Sequence, residues 1–169
     1  MVKVLELANK EVLHKVSELY KQVWKSEEHS IKERILKHSL YEGFQGFVIL
    51  SNEDKLIGFS YGYTSLPGQY YHELLAKEFY SEQYNKWLKD CFEFVELAVN
   101  PSFRKQGFGN MLITKLLEEV DNKTAILTTQ IDNKPARSLY ESLQWKVLKE
   151  PFYQNNSKQP YVIMGKELM

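Results

Sequence analysis

Apolar and polar positions alternate with two periods along this chain of 169 residues, and the switches between them mark its elements. Residues 2–7 alternate and predict a strand. Val12, Val16, Leu19 and Val23 share one helical face, which predicts a helix over 11–24. A second helix is predicted over 31–40, with Ser30 as N-cap, Glu33 completing a capping box and Gly43 ending the segment. Residues 47–50 and 56–63 read as an antiparallel hairpin turning at Asn52-Glu53-Asp54. Residues 66–90 then break the rhythm. Pro67-Gly68 precedes Tyr70, Tyr71, Phe79, Tyr80, Tyr84 and Trp87, set among charges. A loop with a helical piece around 72–83 is expected there, suited equally to a functional insertion and to a covering flap.

Period two returns over 92–99 and stops at Asn100-Pro101, a turn signal. A helical stripe follows: Gly109, Leu112, Ile113, Leu116, Leu117 and Val120. A strand over 123–129 leads to a short helix bearing Ala136, Leu139, Tyr140 and Leu143, with Pro135 in its first turn. Strands over 144–149 and 161–166, around a polar loop at 151–160, complete the order. The sum is a mixed α/β (α+β) domain, with 1–169 expected to form one unit.

Charge narrows the partners. The 22 basic and 22 acidic residues cancel, so no net field draws nucleic acid or a membrane surface. The one cysteine, Cys91, excludes an internal disulfide, and its place before a buried strand reads as an inert core thiol. His14, His29, His38 and His72 form no ligand-spaced cluster, so no metal is expected. The N-terminus has no apolar signal core and no stretch reaches the length of a membrane span, so a cytoplasmic protein is expected.

The chemistry concentrates between the strand at 92–99 and the helical stripe. Arg104-Lys105-Gln106-Gly107-Phe108-Gly109 can turn backbone N–H groups toward one point, next to a helix N-terminus. Such a loop suits a phosphate or pyrophosphate. The spelling excludes a P-loop, which needs a Lys-Ser or Lys-Thr pair, and a dinucleotide fingerprint, which needs a glycine where Leu112 stands.

The remaining pattern, ELAVNPSFRKQGFGNML, resembles the acetyl-coenzyme A binding motif of the GNAT (Gcn5-related) N-acetyltransferases. Asn133 to Trp145, NKPARSLYESLQW, resembles a second motif of that family, with Gln144-Trp145 in place of Gly-Phe. The lost glycine suggests a different helix end there. The resemblance implies a mixed, largely antiparallel central sheet, splayed at the cofactor site and flanked by about four helices. It implies that the backbone of Leu97, Ala98 and Val99 pairs with the pantetheine arm of acetyl-CoA. N–H groups of Arg104, Lys105, Gln106, Gly107, Phe108, Gly109 and Asn110 would cradle the pyrophosphate. Asn133 would bond the cofactor edge and Tyr140 would face the sulfur. Read only from spacing, Asn133 is a helix cap and Tyr140 a stripe residue.

Transfer to an amine also needs a base, because a Lys-like amine with a pKa of about 10.4 is protonated at neutral pH. Glu96 is the candidate; Glu93, three residues away, faces the other side of a strand. The expected activity is N-acetylation of a primary amine on a small molecule or peptide, by direct attack on the thioester. The alternative is a non-catalytic coenzyme A-binding sensor or docking module. Trp24, Glu27, Glu28 and His29 are candidates for one acceptor wall, and Tyr61, Tyr63, Tyr70 and Tyr71 for another, though most suit an ordinary surface over a core. The family resemblance also allows a homodimer through the tail at 161–169.

Overall fold

The computed structural model describes residues 3–7, 10–24, 31–154 and 157–169. In chain order the elements are β1 (Lys3–Glu6), α1 (Lys10–Trp24), α2 (Ile31–His38), β2 (Gln45–Leu50), β3 (Leu56–Ser65), α3 (Tyr70–Ala76) and α4 (Ser81–Trp87). They continue with β4 (Cys91–Val99), a 3-10 turn (Pro101–Phe103), α5 (Phe108–Leu117), β5 (Thr124–Gln130), α6 (Lys134–Ser142), β6 (Lys146–Tyr153) and β7 (Pro160–Glu167). Among the described residues there are six α-helices, where about four were expected. The predicted cap Ser30 lies outside the described residues, as do Glu27, Glu28 and His29. The residues group into two compact units: Met1–Tyr63 with Val95–Val120, and Thr64–Phe94 with Asp121–Met169.

In the first unit β1 pairs antiparallel with β2, and β2 antiparallel with β3. β3 is buried along nearly its whole length, as expected for a strand covered on both faces. Phe59, Tyr61 and Tyr63 pack with Val12, Val16 and Leu19 of α1 and Ile31 and Ile35 of α2. Ile49 and Ile57 pack instead with Leu112 of α5, joined by Leu97 and Val99. Each such aliphatic side chain contributes roughly 1.5–3 kcal/mol by leaving water. Gly58 has a different reason to be there. A Cβ at that position would lie 2.6 Å from the Ala98 carbonyl oxygen and 3.0 Å from Leu112. Only glycine lets β3 approach this part of β4 so closely.

In the second unit Cys91–Glu93 of β4 pairs parallel with Thr124–Ile126 of β5. β7 lies antiparallel between β5 and β6. β6 extends well past the predicted end at 149 and includes Pro151, which the sequence assigned to a loop. Pro151 falls in a register shift between Lys149 and Phe152 on an edge strand, where a missing N–H breaks no ladder.

The stretch at 66–90 is two helices rather than one helical piece, because a cap forms in the middle of it. The Tyr80 N–H donates to Gln83 Oε1 at 3.1 Å, a side-chain contact from the first turn that fixes the start of α4. Tyr71, Phe79 and Tyr84 pack against the core of Leu75, Leu88, Ile126, Phe152 and Ile163. These aromatics form a cover, whereas Tyr70 and Tyr80 are exposed. Buried His72 ties the cover together: Nδ1 lies 2.8 Å from Ser65 Oγ and Nε2 2.9 Å from the Tyr84 hydroxyl. Burial holds this histidine below its ordinary pKa.

Candidate active site

Asn100 ends β4 and aims the loop behind it. Its N–H donates to the Ile57 carbonyl at 2.7 Å, and its Nδ2 donates to that of Leu56 at 3.3 Å. Its Oδ1 accepts from the Ser102 N–H at 3.0 Å, which caps the 3-10 turn begun by Pro101. Phe103 and Phe108, edge to face at 6.3 Å between centroids, anchor the two ends of the following loop on the apolar cluster under α5. Phe108 therefore contributes its side chain to packing and only its backbone to the loop.

Between those anchors, Arg104, Lys105, Gln106 and Gly107 are exposed. Lys105 and Gly107 both take left-handed conformations, with φ of 61° and 85°. Such alternation turns successive N–H groups to one side. Gly107 is also the N-cap of α5, so the N–H groups of Phe108, Gly109 and Asn110 open the helix without intrahelical acceptors. A Cβ at Gly107 would meet nothing within 4 Å, so glycine is favoured there by its left-handed φ and not by crowding. One exposed helix terminus stabilises an anion by only about 0.3–1 kcal/mol. A pyrophosphate site must therefore use several of these donors together, with the charges of Arg104 and Lys105. The residues present fit that group.

In the same unit, Glu96 is held from α2. Arg34 Nη2 donates to Glu96 Oε1 at 3.0 Å, and the guanidinium lies 5.4 Å over the Tyr20 ring. One turn along α2, His38 Nδ1 is 3.0 Å from the Tyr61 hydroxyl, with Tyr41 and Tyr63 packed around its ring. Burial, then the charges of Arg34 and Lys37, push the His38 pKa down to about 4, so it is neutral at neutral pH. Tyr61 and Tyr63, candidates for an acceptor wall, are buried core residues. Hydrogen-bonded aromatic side chains that face two helices have left water, whatever their polar tips suggest.

The second unit holds the other predicted residues. Asn133 is the N-cap of α6, its Oδ1 accepting from the Ala136 N–H at 3.3 Å. Tyr140 is buried in an aromatic cluster, its ring 6.2 Å from Phe94 and 5.9 Å from Trp145 between centroids. Gln144 takes a φ of 71° just after the helix. The altered helix end expected from the lost glycine is thus absent, since glutamine itself adopts the left-handed turn that a glycine there takes with ease. Cys91 is fully buried, and burial raises its thiol pKa, which suits an inert core residue. Buried Glu93 belongs to this unit, and its charge adds to the burial that raises the Tyr71 pKa.

The model of the acetyltransferase (GNAT) family matches residues 11–145, most of the chain. The chain belongs to the acetyltransferase (GNAT) family. Solved structures of similar fold span it almost entirely. Arabidopsis thaliana NAA60 in complex with acetyl-CoA shares 15% identity at a TM-score of 0.73, covering 99% of this chain and 99% of its own. The ribosomal-protein-S18-alanine N-acetyltransferase from Escherichia coli shares 18% at 0.68, covering 99% and 94%. The spermidine/spermine N-acetyltransferase SpeG from Vibrio cholerae shares 17% at 0.63, covering 98% and 92%. At these identities the likeness carries the fold. A comparison with curated proteins returns no match.

For this GNAT chain, Glu96, Leu97–Val99 and the loop at 104–110 come together in one unit, and Asn133 and Tyr140 in the other. Sequence reasoning missed Arg34, His38 and Gly58. Arg34 and His38 stand four apart on a predicted helix, hence on one face, which was the available signal. Gly58 gave none. Among the described residues, no group of three or more His, Cys, Asp or Glu is placed to hold a metal, and no helix is long and apolar enough to cross a membrane.

Proposed function

We propose that this protein moves an acetyl group from acetyl-CoA to an amine by direct attack, as a cytoplasmic N-acetyltransferase. The observation that carries the reading is the loop from Arg104 to Asn110, with left-handed Lys105 and Gly107 feeding the N-terminus of α5 in a GNAT chain. Bound acetyl-CoA supplies the acetyl group as a thioester. Glu96, oriented by Arg34, takes a proton from the acceptor ammonium, directly or through water, so that the nitrogen lone pair can attack the carbonyl carbon. A backbone N–H in Leu97–Val99 meets the charge that develops on the carbonyl oxygen. Tyr140 gives its hydroxyl proton to the sulfur as the carbon–sulfur bond breaks, and its oxygen recovers a proton from the attacking nitrogen, directly or through water, a role assigned by its place in the second motif. Asn133 spends its Oδ1 on the helix cap, which leaves its amide group to bond the cofactor edge.

The test is calorimetric titration of the purified protein with acetyl-CoA and CoA, with ATP and NAD as controls. Selective binding of both coenzyme A forms is expected. A folded sample that binds neither form overturns the reading.

A further inference from the structure

Arg137 stands between the two residues at α6 that the acetyl-transfer reading uses. It follows Asn133 by one helical turn and precedes Tyr140 by three positions, so the three lie along one side of the helix. Its guanidinium uses both ends of its fork. Nη1 donates to the Ile131 carbonyl at 3.1 Å, and Nη2 pairs with Glu150 Oε2 at 3.0 Å. Ile131 lies just past the end of β5, in the turn that leads to Asn133. Its N–H donates to the Pro160 carbonyl at 3.2 Å, and the Gln130 carbonyl accepts from the Asn133 N–H at 3.1 Å. Glu150 belongs to the edge strand β6. One arginine thus joins the end of β5, α6 and β6 around the turn that carries Asn133.

The chemistry of the side chain suits this task. A planar guanidinium presents its donors at fixed angles, so bonding two groups at once sets its own direction and theirs, which a lysine ammonium cannot do. An exposed ion pair alone would contribute little. Here the arginine side chain is only 19% exposed, and one of its two bonds goes to backbone. The two residues of α6 depend on it unequally. Tyr140 is packed against Phe94 and Trp145, and its carbonyl accepts from the N–H groups of Leu143 and Trp145, each at 3.0 Å. Asn133 stands at the helix end, where fraying begins, and its own cap to the Ala136 N–H is a long bond of 3.3 Å. We infer that Arg137 is a positioning residue for acetyl-CoA: by tying the turn between β5 and α6 to β6, it holds the Asn133 amide in the direction in which it meets the cofactor. The inference rests on the acetyl-transfer reading above and adds a residue to it.

The test is calorimetric titration of the full chain and its variants with acetyl-CoA, alongside thermal unfolding. Arg137→Gln should weaken binding about tenfold, and Arg137→Lys, which keeps the charge without the fork, should recover part of that loss. Asn133→Ser keeps a capping oxygen and removes the amide, and it should also weaken binding about tenfold. Because Arg137 acts through that amide, the double variant should bind within about twofold of Asn133→Ser alone. A double variant about a hundredfold weaker than wild type shows independent effects and overturns the inference. So does an Arg137→Gln protein that unfolds at lower temperature yet binds within about twofold of wild type, since the arginine is then only a structural tie. Should Arg137→Gln fail to fold, Glu150→Gln, which keeps the bond to Ile131, should weaken binding about threefold, and unchanged affinity in both Glu150→Gln and Arg137→Lys overturns the inference. Wild-type protein that binds no acetyl-CoA defeats the acetyl-transfer reading itself, whereas wild-type binding that none of these Arg137 and Glu150 variants alters defeats only this inference.

Discussion

Around Gly107 the chain presents backbone to solvent, whereas around Tyr140 it buries one side chain inside a cluster of aromatic rings. In the proposed reading the first segment acts through its backbone, aided by the charges of Arg104 and Lys105. Its donors are peptide N–H groups, and what matters is where φ turns positive and where the helix begins. The second depends on one side chain, placed by α6 and by packing against Phe94 and Trp145. A backbone site can be written locally, by glycine at the right spacing. A side-chain site borrows its neighbours from distant parts of the chain.

That contrast can be broken experimentally, and the largest effect should come from the backbone site. Gly107→Glu strains a left-handed residue and adds a negative charge at the start of α5. Acetyl-CoA affinity should fall by at least about a hundredfold in calorimetry, with the circular dichroism spectrum unchanged. Unaltered affinity would remove the loop from the binding site.

Tyr140→Phe should act on rate instead. Loss of the hydroxyl should lower kcat by roughly a hundredfold, with acetyl-CoA affinity held within about twofold. If affinity drops while kcat stands, the second motif is a binding element and the contrast collapses.

A smaller effect is expected at Gly58, which sits beneath the backbone arm of the first unit. Gly58→Ala places a Cβ against the Ala98 carbonyl oxygen, and something must shift. Thermal unfolding should show a loss of about 1–3 kcal/mol, accompanied by weaker acetyl-CoA binding as Leu97–Val99 move. A loss of stability without any change in affinity would separate this strand from the cofactor.

The mildest change falls at the end of α6. Gln144→Gly should stabilise the protein by about 1 kcal/mol, because glycine takes the left-handed turn without the Cβ contact that glutamine suffers. Lower stability would mean that the glutamine side chain makes a compensating contact.

Much of this molecule was legible in local patterns. The strand and helix periods, the hairpin of β2 and β3, the turn at Asn100-Pro101 and the cap at Asn133 all follow from residues within a few positions of one another. The two motifs gave the family for the same reason. Patterns at longer range were misread or not seen. Residues 66–90 looked like one helical piece until a cap at Tyr80 divided it, and Pro151 looked like loop until an edge strand accommodated it. Tyr61 and Tyr63 were equally suited to an acceptor wall and to an ordinary surface, yet α1 and α2 bury them.

Spacing and spelling by themselves determined most of the order of elements, the place of the glycine loop and the family, since all three depend on backbone preferences of short segments. Tertiary structure alone decided that Arg34 meets Glu96 across 62 positions, that Gly58 lies under the Ala98 carbonyl, and that burial and neighbouring cations keep His38 neutral. Charge pairing, close approach and desolvation are properties of neighbours in space, and the chain fixes those neighbours only when it folds.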